Sequence, residues 1–250
     1  MSLKFLYLHL HGLIRSNNLE LGRDSDTGGQ TQYVLELVKS LANTSEVDQV
    51  DIVTRLIKDS KVDSSYSKEQ EFIVPGARIL RFQFGPNKYL RKELFWPYLD
   101  ELTQNLIQYY QKYENKPSFI HAHYADAGYV GVRLSQALKV PFIFTGHSLG
   151  REKRRKLLEA GLKINQIEKL YCISERINAE EESLKYADIV VTSTKQESVS
   201  QYSQYHSFSF EKSKVIAPGV DHTKFHHIHS TTETSEIDNM MLPFLKDLRK

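Results

Sequence analysis

The stretch LGRDSDTGGQTQYVLELVKSLA, residues 21–42, sets two acids and two adjacent glycines directly before an amphipathic helix. Four apolar residues at helical spacing predict one buried face: Val34, Leu37, Val38 and Leu41. Thr27 and Gln30 have the spacing of a capping box, which predicts Thr27 as N-cap and a helix from about Gly28. The glycines would let a ligand approach the first amides of that helix, a place suited to anions and sugar oxygens.

On both sides of this stretch, short apolar runs alternate with longer stretches of helical period. The runs predict strands at 4–10, 50–56, 78–84, 118–124, 141–147, 188–194 and 214–218. Helices are predicted between them at 30–42, 94–113, 129–138, 152–161, 173–186 and 195–205. This order predicts an α/β fold with a Rossmann-like, doubly wound parallel sheet. We expect residues 1–225 to form this domain, and 226–250 to form a linker and short helix leading towards an absent C-terminal domain.

The composition excludes several classes of protein. The chain has 250 residues with 33 Lys+Arg against 31 Asp+Glu, a balance too even for a protein whose main partner is nucleic acid. No apolar run reaches the ~18 residues of a membrane span, so no membrane partner is expected. The single cysteine, Cys172, excludes an internal disulfide framework and favours a reducing, cytoplasmic compartment.

The segment GHSLG, residues 146–150, matches the G-x-S-x-G nucleophile elbow. An α/β-hydrolase would use Ser148 as nucleophile, residues 11–12 as part of an oxyanion loop, and Asp188 and His222 as partners. Against this alternative, the helix that follows opens with long cations, which indicate anion capture instead: Arg151, Lys153, Arg154 and Arg155.

The segment HAHYAD, residues 121–126, puts His121 and His123 on one face of a strand with Asp126 close behind. Such a cluster could bind zinc. However, Asp126 is one residue late for the HxHxDH pattern and no histidine follows it, so we predict no metal. Tyr124 and Asp126 are candidates to contact sugar hydroxyls.

Cations in three separate segments could converge on one dianion. Lys92 follows the third predicted strand, Lys153 follows GHSLG, and Arg176 lies on the helix predicted at 173–186. Each alone would be an ordinary solvated helix face, but together they predict a phosphate clamp.

Five segments in one order resemble the N-terminal half of the sucrose-phosphate synthases, which are retaining glycosyltransferases of the two-domain GT-B architecture. They are residues 22–42, HAHYADAGYVG (121–131), FTGHSLGREK (144–153), RINAEEESLKYADIVVTSTKQE (176–197) and VIAPGVD (215–221). The resemblance implies glucosyl transfer from UDP-glucose to fructose 6-phosphate. It also implies that this domain binds the acceptor and that a C-terminal domain, as partner, binds most of the donor.

The resemblance also implies roles for particular residues. His147 would be the catalytic residue beside the transferred glucosyl unit, while Ser148 would only serve the turn. The acceptor would contact Gly29, Gln30, Lys92, Tyr124, Lys153 and Arg176. The donor phosphates and sugar would contact Gly28, Gly29 and Asp126. No metal or other cofactor is expected to be essential, and without a donor domain the chain is expected to turn over little.

Two further alternatives stay open. Sucrose synthase shares DTGGQ but accepts free fructose and needs no phosphate clamp. A domain that binds acceptor alone could also serve as a non-catalytic sugar-phosphate binding module.

Overall fold

The computed structural model describes residues 2–112 and 116–220. Within them the strands are β1 (Leu3–Leu8), β2 (Val47–Arg55), β3 (Gln70–Val74), β4 (Ala77–Phe82), β5 (Phe119–His123), β6 (Phe142–Thr145), β7 (Ile189–Thr192) and β8 (Ser213–Val215). They form one sheet in the order β3-β4-β2-β1-β5-β6-β7-β8. Every pairing is parallel except that of β3 with β4.

The helices of the described residues are α1 (Gly29–Ala42), α2 (Leu99–Lys112), α3 (Ala125–Leu138), α4 (Gly150–Glu159), α5 (Ile164–Tyr171), α6 (Ile173–Tyr186) and α7 (Lys195–Ser200). None of them is long and apolar enough to cross a membrane. The contacts define a compact unit over Met1–Ala217.

The sheet is covered on both faces, as the side chains of β1 show. Leu6 and Leu8 enter a core shared with α2, α3 and α6, whereas Tyr7 points to the opposite core under α1. This alternation follows from the period of two along a strand. Because both faces are buried, the central strands carry nearly continuous apolar runs.

The doubly wound α/β class is confirmed, but the sheet is mixed, not all-parallel. The sequence prediction missed the antiparallel strand β3, in which Phe72 is exposed, and the short helix α5. The helix predicted at 94–113 begins only at Leu99, because Trp96–Tyr98 forms a 3-10 helix with a proline in its first turn. Phe225, His222 and the predicted segment 226–250 lie outside the described residues, so the domain boundary stays a prediction.

The topology places loops at one end of the sheet. From β1 the chain continues to β2 on one side, while β5 lies on the other side of β1. The segments after β1, β5 and β6 therefore meet at a switch point beyond the carboxyl ends of the strands, where ligands bind in folds of this kind.

Candidate functional site

A cleft of about 470 Å³ opens at this switch point. Most of the predicted site residues line it: Gly28, Gly29, Gln30, Lys92, Tyr124, Lys153 and Arg176. Asp126 lines a smaller pocket beside it, which shares the same three cations. His147 is in neither lining set. The fold thus brings residues from across the chain to one concave surface.

The two acids before the glycines, Asp24 and Asp26, stabilise the loop by hydrogen bonds to its own backbone and to Lys92. An Asp24 oxygen accepts the amides of Asp26 and Thr27 at 2.9 and 2.8 Å. Gly12, at φ +78°, packs so closely under this loop that a Cβ would lie 2.3 Å from the Asp26 carbonyl oxygen. Any side chain at Gly12 would therefore displace the loop.

The predicted capping box is wrong. The Thr27 hydroxyl accepts the Leu13 amide at 3.1 Å, because it is turned towards the segment after β1. Gly28 is the N-cap of α1 and makes no side-chain hydrogen bond there. A Cβ on Gly28 or Gly29 would meet nothing within 4 Å, so packing does not require glycine at either position. The space above them is open for a ligand at the start of the helix.

Lys92 is tied to the same loop. Its backbone amide donates to one Asp26 oxygen at 2.9 Å, and its ammonium pairs with the other. Burial raises the pKa of the Asp26 carboxyl, but the hydrogen bonds and charge of Lys92 outweigh it and hold that pKa below its ordinary value. The charge of Lys92 thus has an internal counterion in the described structure.

Arg176 is buried, with 3% of its surface exposed, and is also paired. Its Nε donates to Glu180 at 2.9 Å, and its Nη2 donates to the Ser148 carbonyl oxygen at 2.6 Å. The guanidinium lies 4.5 Å from the centroid of the Tyr124 ring. Arg176 therefore fixes the GHSLG turn and one wall of the cleft, in addition to any contact with a ligand.

Lys153 differs from the other two cations. Its Nζ lies 3.8 Å from the centroid of the Tyr171 ring, and it forms no salt bridge with an acid of the described ranges. Burial, and then the charges of Arg176 and Lys92, lower the pKa of Lys153 to about 8. The cleft therefore holds an excess of positive charge around Lys153.

His147 follows β6 with a left-handed backbone, at φ +57°. Its Nε2 shares a hydrogen bond of 2.8 Å with Nδ1 of His123, and its ring packs edge-on against Tyr33 at 5.3 Å between centroids. Burial, and then the charge of His11, lower the pKa of His147 to about 3. The side chain is consequently a neutral imidazole at pH 7, with Nε2 engaged by His123.

Asp126 and Gln30 make interior contacts as well as lining the site. Asp126 bonds Nδ1 of His11 at 2.8 Å and is 1% exposed. The Gln30 amide nitrogen lies 3.1 Å from Nδ1 of His9. Both side chains thus position the segment that follows β1.

The hydrolase alternative does not fit the geometry. The Ser148 hydroxyl accepts from Arg176 at 3.1 Å, and the strained backbone belongs to His147, not to the serine. Asp188 accepts the Phe142 amide, at the start of β6, so it lies at the opposite end of the sheet. His222 is outside the described residues.

The zinc alternative also lacks its ligands. His121 bonds the Thr145 hydroxyl at 2.8 Å, His123 bonds His147, and Asp126 bonds His11. No group of His, Cys, Asp and Glu within residues 2–112 and 116–220 could hold a metal ion.

Sequence reasoning missed several residues of the site, three of which contact its cations. Glu93 lines the cleft beside Lys92, Tyr171 contacts Lys153, and Glu180 neutralises Arg176. Only Glu180 had a signal in the sequence, since it stands four residues after Arg176 on the same helix. The other two depend on how separate segments fold together.

Comparison with known proteins identifies the family of this chain. The profile of the family described as "Sucrose synthase first GT-B domain" matches residues 2–237. A probable sucrose-phosphate synthase of Vicia faba is 39% identical over 90% of this chain and 26% of its own length. Sucrose-phosphate synthase 1 of Arabidopsis thaliana is 42% identical over 82% of this chain and 22% of its own length. The chain thus spans about a quarter of these relatives.

Solved structures share the fold. A sucrose-phosphate synthase from Thermosynechococcus elongatus superposes with a TM-score of 0.68 at 23% identity, over 91% of this chain and 51% of that one. Anabaena HepE in complex with UDP-glucose superposes with a TM-score of 0.56 at 15% identity, over 96% of this chain and 50% of that one. On the match of the family profile, the chain belongs to the sucrose synthase first GT-B domain family.

Proposed function

We propose that this chain is the acceptor-binding domain of a sucrose-phosphate synthase, which transfers glucose from UDP-glucose to fructose 6-phosphate and yields sucrose 6-phosphate and UDP. The single observation that carries the proposal is the unbalanced charge of Lys153 between Lys92 and Arg176. The names of the relatives at about 40% identity support the same activity. The single cysteine favours a cytoplasmic location.

The charges of the cleft favour a phosphorylated acceptor. Asp26 balances Lys92, and Glu180 balances Arg176. Glu93 pairs with Arg91 at 3.2 Å and with Lys92 at 3.6 Å, but no described acid pairs with Lys153. A phosphate dianion in the cleft would contact all three cations and offset the excess of positive charge at Lys153. Free fructose, the acceptor of the sucrose synthase alternative, carries no anionic group to balance these charges.

Tyr124 and the start of α1 lie where they could contact the acceptor sugar and the donor. The Tyr124 ring and the first amides of α1, at Gly29 and Gln30, border the space next to the clamp. Gly28 and Gly29 leave that helix end open to the phosphates of a donor. A C-terminal domain of the same enzyme would hold the rest of the nucleotide sugar, as partner of this one.

The proposed chemistry is front-side glucosyl transfer with retention. The acceptor hydroxyl attacks from the side on which the diphosphate leaves, and the diphosphate takes the proton. Amides at the start of α1 and the nearby cations stabilise the charge that develops. His147 would donate a hydrogen bond to the glucosyl unit, since its low pKa keeps it neutral and excludes a role as proton donor at pH 7.

Calorimetry of this chain with fructose 6-phosphate and with fructose tests the proposal. We expect binding of fructose 6-phosphate and at least ~tenfold weaker binding of fructose, because hydrogen bonds to charged groups are worth ~1.5–3 kcal/mol each. Lys153→Met should remove most of that preference. The matched control is Lys156→Met, since Lys156 lies on the same helix but pairs with Glu152 and is 68% exposed.

Equal affinity for the two sugars would refute the phosphate clamp and favour sucrose synthase. Preference for the phosphate ester that Lys153→Met leaves unchanged would place the phosphate elsewhere. If fructose 6-phosphate binds but the chain with its donor domain forms no sucrose 6-phosphate, the sugar-phosphate binding module is correct.

A further inference from the structure

The amine of Lys153 combines three properties that lysines seldom share. It lies in a cleft, it has no acid partner in the described part of the chain, and two cations stand beside it. Its pKa of about 8 leaves roughly half of the amine unprotonated at pH 8, whereas an ordinary lysine is less than ~1% unprotonated there. An unprotonated amine is a nucleophile.

We propose that Lys153 is a site of acylation by acyl phosphates. The phosphate of such a reagent would dock on the clamp as a phosphate ester does, at Lys92, Lys153 and Arg176. Once Lys153 has released its proton, its Nζ would lie beside the carbonyl carbon. The proposal rests on the phosphate clamp of the proposed function, although it needs no sugar. Proximity of this kind is what turns a slow bimolecular reaction into a fast one.

The step balances without any further reagent. The Lys153 nitrogen forms a bond to the acyl carbon, and the bond between that carbon and the phosphate oxygen breaks. Inorganic phosphate leaves with the electron pair, and the proton of the nitrogen passes to it or to water. The product is a neutral amide in place of an amine that could be charged.

The modification would remove one of the three cations from the phosphate clamp. The amide cannot form a charge-assisted hydrogen bond, so the cleft would keep only the two cations that already have internal counterions, Lys92 and Arg176. Acylation at Lys153 is therefore expected to weaken binding of phosphate esters as strongly as Lys153→Met does.

Incubation of the full chain with acetyl phosphate at pH 8, followed by peptide mass spectrometry over time, tests this. We expect acetylation of Lys153 roughly tenfold faster than of Lys156 on the same helix, which is paired and exposed. Inorganic phosphate should protect Lys153, and Lys92→Met should slow its reaction. The N-hydroxysuccinimide ester of acetate carries no phosphate that could dock, so Lys92→Met should slow its reaction with Lys153 less than it slows the reaction with acetyl phosphate. The slowing that remains is expected because the charge of Lys92 helps to lower the pKa of Lys153.

Three results would overturn the proposal: equal rates at Lys153 and Lys156, no protection by inorganic phosphate, or the same pattern with the ester that lacks phosphate. Circular dichroism of Lys92→Met checks that a slower reaction is not a folding defect. Protection by inorganic phosphate but not by fructose 6-phosphate would refute the proposed function and leave this inference standing. Binding of fructose 6-phosphate without preferential acetylation of Lys153 would refute this inference and leave the proposed function standing.

Discussion

Lowering the pH from 7 to 5 is expected to destabilise the fold through a cluster of buried histidines that stay neutral. Four side chains next to the cleft have pKa values below the ordinary 6.5, mainly because burial disfavours the charged form: His9, His121, His123 and His147. For His121 and His147 the pKa falls to about 3. Two of these rings, His121 and His123, pack against each other at 4.2 Å between ring centroids, tilted by 33°.

The direction and size of this change in the free energy of unfolding follow from the difference in proton binding between the folded and unfolded chain. Below pH 6.5 the unfolded chain binds protons that the folded chain cannot, so stability is lost between 6.5 and the folded pKa of about 3. His121 and His147 each cost ~2 kcal/mol on going from pH 7 to 5, and the lowered pKa values of His9 and His123 add to the loss in the same direction. The loss at His121 and His147 alone, ~4 kcal/mol, approaches the whole stability of a marginally stable domain, ~5–15 kcal/mol.

Carboxylates do not mask this loss. Asp24 and Asp26 have pKa values below the ordinary 3.8, despite burial, because hydrogen bonds and, for Asp26, the charge of Lys92 favour the ionised form. They stay ionised from pH 7 to 5, and their stabilising effect is lost only as the pH falls below 3.8.

Urea unfolding at pH 7, 6 and 5, followed by circular dichroism, measures the loss. His121→Gln keeps a group that can bond the Thr145 hydroxyl and should reduce the loss by ~2 kcal/mol. The control is His206→Gln at an exposed position, which should leave the pH profile as it is. Stability that is flat from pH 7 to 5, or a profile that His121→Gln does not change, would refute the reasoning.

Three further substitutions test packing and charge. Gly128→Ala would bring a Cβ to 2.2 Å from the Ser183 hydroxyl where α3 meets α6, so we expect a loss of ~1–3 kcal/mol in urea unfolding. Gly29→Ala, which meets nothing within 4 Å, should change stability by less than ~1 kcal/mol, and equal effects would be evidence against this packing. Glu93→Gln removes an anion 3.6 Å from the Lys92 ammonium and should tighten binding of fructose 6-phosphate by roughly tenfold, whereas weaker binding in calorimetry would mean that Glu93 holds the sugar.

Much of the fold could be predicted because its strands are buried on both faces and read as apolar runs between amphipathic helices. Strand β3 was not predicted, because it is an edge strand with Phe72 exposed and therefore carries no clear apolar pattern. The capping box at Thr27 failed because a tertiary contact, the Leu13 amide, takes the hydroxyl. A local signal was overridden by packing that the sequence does not display.

The site could be predicted as a set of cations but not as a balance of charges. Lys92, Lys153 and Arg176 stand in segments that follow strands or open helices, and the topology brings them together. That Lys153 has no counterion in the described structure depends on Asp26 and Glu180 meeting the other two cations across the chain. Likewise His147 meets His123 only because β5 and β6 pair in parallel, with His123 opposite Thr145.

The central claim, that Lys92, Lys153 and Arg176 together hold the acceptor phosphate, is tested most directly by a crystal structure of this chain with fructose 6-phosphate. We predict the phosphate within ion-pair distance of all three cations, with the sugar against Tyr124 and facing the start of α1 at Gly29. A phosphate bound outside this cleft, for example on the exposed cations of α4, or a sugar in the cleft with its phosphate turned away from Lys153, would contradict the account.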